Sequence, residues 1–288
     1  MLTREIAPWV DYALLDSGNG EKLERFGDVI MIRPDPQAMW PREGRKEWES
    51  AHLTYKRQVR EGEWLVKHEV PPMWTIGWED LVFRIRPTSF KHTGLFPEQA
   101  SNWQWLRKHL KPGMRVLNLF GYTGGASVAA ASVDCDVTHV DASKPVVTWG
   151  RENLETSNLQ EKKVRWIVDD AQKFVAREIR RESKYDVILM DPPAFGRGPE
   201  GEVWQFEDHL AALLAGCRQL LKEESGMLLV NAYSLGFPAL AVENIVKTTV
   251  PQLRSKALNS RLRSKRNVDF CSQPASSCAP LGKHAYSL

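Results

Sequence analysis

The sequence predicts an α/β protein: a mainly parallel, doubly wound sheet preceded by a small β-rich region. Three observations lead there. Between residues 91 and 250, short apolar runs alternate with stretches of helical period, the pattern of β–α–β units. Two of those runs end in unusual turns, one rich in glycine and one reading Asp191-Pro192-Pro193. The first 90 residues instead show brief apolar runs broken by turn clusters, and eight of the eleven tryptophans fall within the first 105 residues.

In the N-terminal zone, Tyr12-Ala-Leu-Leu-Asp-Ser-Gly-Asn-Gly joins an apolar run to a turn cluster. Asp28-Val-Ile-Met-Ile-Arg is a second run, halted by Pro34 and Pro36. Trp64-Leu-Val and Leu81-Val-Phe-Arg-Ile-Arg are further strand candidates. The tryptophans suit the core of a small β domain poor in other large side chains, or alternatively a base-stacking surface.

The middle zone offers five strands: Arg115-Val-Leu-Asn-Leu-Phe, Asp136-Val-Thr-His-Val-Asp, Val164-Arg-Trp-Ile-Val, Tyr185-Asp-Val-Ile-Leu-Met and Gly226-Met-Leu-Leu-Val-Asn. Helices are expected near 124–132, 144–157, 171–182 and 207–222. In the last, Leu210, Leu213, Leu214, Cys217, Leu220 and Leu221 form a stripe that reads as core packing. Residues 251–288 lack apolar alternation apart from Val268-Asp-Phe-Cys, and are expected to form a loosely packed, atypical end without paired strands.

Composition sets the outer limits. The chain has 288 residues, 42% hydrophobic and 26% charged, which excludes wholesale disorder. Lys plus Arg number 39 against 36 Asp plus Glu, too small a surplus to imply nucleic-acid binding by itself. The surplus is localised, because residues 251–288 carry seven Lys/Arg and one Asp, leaving residues 1–250 at −3. Arg254, Lys256, Arg261, Arg263, Lys265 and Arg266 are candidate phosphate contacts, or a solvated tail. Cys135, Cys217, Cys271 and Cys278 form no CxxC pair, and no Cys/His cluster has zinc-finger spacing, so free thiols in a reducing cytoplasm are expected and no metal. No apolar leader opens the sequence. The uncharged stretch Val116–Val133 changes period midway and reads as strand, turn and helix rather than a membrane span.

Four strand ends carry the chemistry. Val116-Leu-Asn-Leu-Phe-Gly121-Tyr-Thr-Gly124-Gly125 runs a strand into a glycine-rich turn that opens a helix, where bare backbone can approach a nucleotide-like ligand. Its GxxGG spacing departs from the dinucleotide GxGxxG, which argues against a nicotinamide oxidoreductase. Asp141 ends the next strand, twenty residues after Gly121, where a carboxylate can accept both hydroxyls of an adenosine ribose. Val168-Asp169-Asp170-Ala171 closes the third, and one of its acids would receive an adenine amino group, or cap the helix beginning at Ala171. Asp191-Pro192-Pro193-Ala194-Phe195 closes the fourth: a carboxylate, prolines that leave carbonyls outward, and an aromatic ring make a platform for a flat amino-bearing group.

Those motifs resemble the class I S-adenosylmethionine (SAM)-dependent methyltransferases, and within them the relatives of the bacterial 23S rRNA cytosine-5 methyltransferases. Phe90-Lys-His-Thr-Gly-Leu-Phe-Pro-Glu-Gln99 is similar to that group's Lys-Thr-Gly-x-Phe-Leu-Asp-Gln, Asn118-Leu-Phe-Gly-Tyr-Thr-Gly-Gly to its SAM loop, and Asp191-Pro-Pro-Ala-Phe to its Asp-Pro-Pro-Lys-Phe. The resemblance covers roughly residues 80–235. It implies a Rossmann-like methyltransferase sheet, with a β-rich domain over 1–90 and the methyltransferase domain over 91–288. It places the methionine part of SAM against Phe120, Gly121, Tyr122, Thr123, Gly124 and Gly125. The ribose falls at Asp141 and the adenine at Asp170, with Asn118, Ala142, Ala171 and Asp191 beside them. Phe96 and Gln99 line the mouth.

The resemblance departs at one point. The cytosine-5 enzymes use a nucleophilic cysteine in a Ser-Cys-Ser motif, because C5 is inert until a thiolate adds to C6. This chain reads Asn231-Ala232-Tyr233-Ser234 there. The expectation is therefore methyl transfer to a nucleobase-bearing acceptor, with rRNA the candidate, and no covalent cysteine step. Asp191, the Pro192 carbonyl, Phe195 and Tyr233 would handle the acceptor. The alternatives are a small-molecule acceptor, or a SAM-binding module without catalysis. The sulfonium is already a good leaving group, so holding the acceptor in line is most of the work.

Overall fold

The computed structural model describes residues 2–5, 9–57, 62–223, 225–231, 239–251, 254–263 and 269–279. The chain forms two compact units. One comprises Glu5–Ala100 and Arg261–Phe270; the other comprises Met1–Arg4, Ser101–Ser260 and Cys271–Leu288.

After β1 (Leu2–Glu5), the first unit builds a five-stranded sheet of β2 (Tyr12–Gly18), β3 (Glu21–Phe26), β4 (Val29–Pro34), β5 (Leu53–Arg57) and β6 (Gly62–Val66), in that order. A separate hairpin pairs β7 (Trp74–Trp78) with β8 (Leu81–Ile85). Leu15, Leu23, Ile32 and Ala51 pack together, with Trp48 against them. On the other face of the sheet Arg33 grips the buried Glu24 carboxylate at 2.7 and 2.8 Å, and the Tyr12 hydroxyl donates to it at 2.9 Å. Burial alone would raise that carboxyl, but Arg33 and Lys22 outweigh it and hold Glu24 down at about 2. The tryptophans are structural here. Trp9 and Trp78 are buried. The half-buried Trp40, Trp48, Trp64 and Trp74 donate their indole N–H groups to the Ser17 carbonyl, the Asp16 carboxylate, the Thr88 carbonyl and the Phe26 carbonyl.

The second unit follows α1 (Ala100–His109) with alternating strands and helices: β9 (Arg115–Leu119), α2 (Gly125–Ala131), β10 (Asp136–Asp141), α3 (Lys144–Thr156), β11 (Val164–Val168), α4 (Ala171–Arg180) and β12 (Val187–Met190). A short hairpin, β13 (Phe195–Arg197) and β14 (Val203–Gln205), leads into α5 (Phe206–Leu220), β15 (Met227–Asn231) and α6 (Ala239–Thr249). β16 (Arg254–Arg263) and β17 (Asp269–Ala279) end the described chain. All but the hairpin strands join one eight-stranded sheet in the order β1-β16-β17-β15-β12-β9-β10-β11. From β15 to β11 it is parallel. Its strands read as near-continuous apolar runs because helices cover both faces; all four residues of β12 are buried. The stripe on α5 packs, as expected, into one core with Phe174 and Val175 of α4 and Val242 and Val246 of α6.

The C-terminus corrects the sequence reading. Where paired strands were not expected, β17 lies antiparallel against β15, with Leu228 opposite Cys278 and Asn231 opposite Ala275, and β16 follows beyond it. Pairing is made by main-chain groups, so a Ser- and Ala-rich segment can close a sheet without the apolar alternation that betrays a strand. Pro274, which lacks an N–H, falls just before the four residues paired with β15.

Candidate functional site

The chain leaves β9 toward β10 and β11, then returns to β12 on the other side of β9. β9 and β12 are thus neighbours at a topological switch point, where the loops at the carboxyl ends diverge and leave a crevice. Leu119, Val140 and Met190 lie level across the three central strands. The glycine loop, Asp141 and Asp191 therefore start from one level.

The glycine loop is strained and firmly seated. Phe120 and Tyr122 adopt positive φ of 54° and 49°, and Gly124 of 81°. Non-glycine residues hold that region only when their surroundings enforce it. Gly121 donates its N–H to the Val140 carbonyl at 3.0 Å, and Tyr122 donates its own to Asp141 Oδ2 at 2.9 Å. Beneath the loop, Asn118, His139 and Trp166 stand in register on β9, β10 and β11. A Cβ on Gly121 would lie 2.4 Å from the His139 ring, and one on Gly125 2.6 Å from Trp103. Gly124 rests against Trp166, where a Cβ would meet the ring at 3.2 Å. Gly121 and Gly125 are thus required by what lies under the loop, as well as by any ligand above it.

The floor is knitted together by a buried relay. Asn118 Nδ2 donates to Ser127 Oγ at 2.9 Å, and Ser127 Oγ lies 3.0 Å from His139 Nδ1. The His139 ring packs 4.7 Å from that of Trp166. Burial presses the His139 pKa down to about 3, so its ring is neutral. Asn118 thus spends its amide beneath the loop, and Thr123 is buried, its carbonyl accepting from Asn153 Nδ2 at 2.9 Å.

Asp141 does two jobs at once. Oδ2 accepts from Tyr122 and Oδ1 from the Ser143 N–H at 2.9 Å, which fixes the carboxylate. Burial lifts its pKa above the usual aspartate range, against the pull of the Ser143, Tyr122 and Ala142 N–H groups. Asp170 caps α4, accepting the Lys173 N–H at 2.9 Å, while Asp169 pairs with Arg177. Ala171 is buried at the start of that helix.

At the Asp-Pro-Pro turn, Pro192 is buried and Pro193 exposed. The Pro193 carbonyl accepts from Trp204 Nε1 at 2.7 Å and that of Ala194 from the Phe206 N–H at 3.0 Å. Phe195 stands 56% exposed on β13. Asn231, one residue past the Met190–Val230 pair and so level with Asp191, accepts from Asn102 Nδ2 at 3.1 Å. Phe96 and Gln99 belong to the other unit, in and beside the turn Pro97–Gln99, with the Phe96 ring 5.1 Å from that of His92. Tyr233 lies outside the described residues. The sequence reading missed His139, Ser127, Trp166, Trp103 and Trp204. Only Trp204 had a local signal, an indole nine residues past Phe195 in a segment otherwise polar.

A doubly wound sheet whose switch point bears a glycine loop, a ribose-type aspartate and an Asp-Pro-Pro turn defines an adenosine-cofactor α/β enzyme fold. The chain belongs to the S-adenosylmethionine-dependent methyltransferase family, whose model matches residues 45–265. It is similar to the crystal structure of the SAM-dependent methyltransferase from Agrobacterium tumefaciens, with 36% identity, 97% of this chain and 94% of that one covered, and a TM-score of 0.93. Among curated proteins it is 31% identical to the ribosomal RNA large subunit methyltransferase K/L of Alteromonas mediterranea, over 59% of this chain and 25% of that protein. It is 33% identical to ribosomal RNA large subunit methyltransferase I of Erwinia tasmaniensis, over 43% and 32%. The matched stretch spans about a quarter to a third of these relatives. Among the described residues no helix is long and apolar enough to cross a membrane.

Proposed function

We propose that this chain transfers the methyl group of SAM to a nucleobase-bearing acceptor, with ribosomal RNA the acceptor class, and without a covalent cysteine intermediate. One observation carries the reading: the Asp191-Pro192-Pro193 turn stands on the strand beside the glycine loop, at the switch point of the sheet. The names of the curated relatives favour RNA.

The residues present fit the cofactor. Asp141 presents a carboxylate fixed at the strand end for the ribose hydroxyls, and the loop from Phe120 to Gly125 offers backbone for the methionine part. Asp170, flanked by Ala171, and Ala142 after Asp141 border the adenine. When bound, SAM supplies a methyl group on a sulfonium. The chain's own part is to hold the acceptor in line with it at about 3–3.5 Å. The Asp191 carboxylate and the Pro192 carbonyl take the acceptor's hydrogen bonds, and the exposed Phe195 ring stacks on its face. The carbonyls of Pro193 and Ala194 are already engaged, so Pro192 supplies the remaining one of the three.

Two of the four cysteines are poorly suited to nucleophilic attack. Cys135 and Cys217 are buried, and burial pushes both thiols up, Cys135 to about 11. Cys278 pairs with Leu228, toward the end of β15 away from Asn231. The division of labour that goes with this reading assigns residues 1–90 to a small β-rich domain and residues 91–288 to methyl transfer.

The test is methyl incorporation from labelled SAM into 23S rRNA transcript, alongside calorimetry with S-adenosylhomocysteine (SAH). Asp191→Ala should lower turnover about a hundredfold while leaving SAH affinity within a few fold. Full turnover in that variant would remove Asp191 from the acceptor site. SAH uptake with no methylation of rRNA would turn the reading toward a small-molecule acceptor.

A further inference from the structure

Trp204 touches both the acceptor turn and the glycine loop. Its indole is 3% exposed, and its Nε1–H donates to the Pro193 carbonyl at 2.7 Å. Its ring lies 4.8 Å from that of Phe120, the first residue of the glycine loop. On the hairpin, Trp204 faces Gly196, while Phe195 pairs with Gln205 and Arg197 with Val203. Opposite residues of an antiparallel pair share a face, so the Trp204 face turns to the core and the Phe195 face turns outward. The exposures agree, with Phe195 56% and Val203 46% exposed.

We propose that Trp204 is a positioning residue that ties the acceptor turn to the cofactor loop, so that donor and acceptor walls hold one geometry. The inference rests on the assignment of Asp191–Phe195 to the acceptor. The two prolines fix φ but leave ψ free, so they cannot alone fix where the Asp191 carboxylate and Pro192 carbonyl point. The indole N–H removes that freedom at Pro193, the Phe206–Ala194 bond pins the next residue, and the ring contact carries the constraint to Phe120. In-line transfer tolerates little misplacement, so a rigid link between the walls is what the geometry needs.

Trp204→Phe tests this, because it keeps an aromatic ring at the position and deletes the donor, and the core volume lost with the indole is controlled by protection in β9 and β12. The readout is amide hydrogen exchange of Ala194–Arg197, with and without SAH, together with SAH affinity by calorimetry. The expected result is exchange about tenfold faster at Ala194–Arg197, unchanged protection in β9 and β12, and SAH affinity within twofold. SAH should slow exchange at Ala194–Arg197 in the wild type and lose that effect in Trp204→Phe. Unchanged exchange at the turn would overturn the proposal, and so would an equal loss of protection in β9 and β12, since the indole would then be core packing only. A wild-type protein that takes up no SAH would defeat the functional reading instead, and the turn's exchange in Trp204→Phe would still decide whether the indole clamps it.

Discussion

After β9 the chain turns through Phe120-Gly121-Tyr122 with positive φ at two side-chain-bearing residues. After β12 it turns through Asp191-Pro192-Pro193, where pyrrolidine rings fix φ. Both corners end neighbouring strands, and both must be stiff if a methyl group is to pass between them. They reach stiffness by opposite routes. The glycine corner is held from below, pressed so closely against His139 at Gly121 and against Trp103 at Gly125 that a Cβ would overlap them, with Trp166 in tight contact at Gly124. The proline corner has φ fixed by its own rings and takes the rest of its stiffness from carbonyl anchors, from Trp204 and Phe206. The comparison implies that the first corner fails when anything is added to it and the second tolerates losing a ring.

The largest effect should therefore come from Gly121→Ala. A methyl 2.4 Å from a fully buried imidazole has nowhere to move, and overpacking of this kind costs about 3 kcal/mol. Urea unfolding should show that loss, and SAH affinity should fall at least tenfold as the loop lifts. Adding His139→Ala removes the overlapped ring, so the double variant should be more stable than the sum of the two single losses. Simple additivity would mean that the floor does not hold the loop.

The same floor predicts a pH dependence. His139 is neutral in the folded protein, with a pKa pressed to about 3, and reverts to an ordinary histidine on unfolding. Below about pH 6.5 the unfolded chain therefore binds a proton that the folded chain refuses. Its contribution to stability is fully present above that pH and is lost as pH falls toward 3, by about 1.4 kcal/mol per pH unit. His92, lowered to about 4 by burial first and then by Arg33 and Lys91, adds a second such slope. Unfolding of His139→Gln at pH 5 and pH 7 should show a shallower difference than the wild type. Equal differences would mean that the ring is protonated in place.

Much of the site was legible because its signals are local. A strand end, a glycine or proline turn and a following helix lie within about ten residues, so the positions of Gly121, Asp141, Asp170 and Asp191 could be read from the chain. The floor and the clamp could not. His139 sits inside an apolar strand, and nothing in Asp136–Asp141 announces that a glycine from the loop after β9 lies on its ring. Trp204 is 84 residues from Phe120. The C-terminal strands failed for a different reason: β17 takes its place by main-chain pairing with β15, which leaves no mark in hydropathy. In the N-terminal unit, β3, with the sequence Glu-Lys-Leu-Glu-Arg-Phe, was hidden by charge, since its acid Glu24 is buried against Arg33 rather than facing water.

The proline corner gives the contrasting result. Pro193 is exposed, and its ring makes no hydrogen bond that alanine would lose, while the carbonyl that Trp204 holds belongs to any residue. Pro193→Ala should cost only what the unfolded chain gains in freedom, about 0.4–1 kcal/mol, with SAH affinity unchanged. A loss as large as that of Gly121→Ala would erase the distinction between the two corners.

The smallest effect belongs to the tip of the hairpin that follows the proline corner. There Lys173 reaches Glu200 Oε2 at 2.7 Å and also pairs with Glu202. The lysine is about half exposed and Glu200 more so, so water and salt screen the attraction and the long side chains lose entropy in making it. The pairing raises the Lys173 pKa through the hydrogen bonds to Glu200 and Glu202, yet a lysine is charged at neutral pH with or without that rise. Lys173→Ala should therefore leave the unfolding temperature unchanged at physiological salt, and SAH affinity with it. The Trp204 anchor lies at the inner end of the same hairpin, so protection of Ala194–Arg197 from exchange should survive as well. Loosening of that segment in Lys173→Ala would show that the tip's charges, rather than the indole, hold the corner in place.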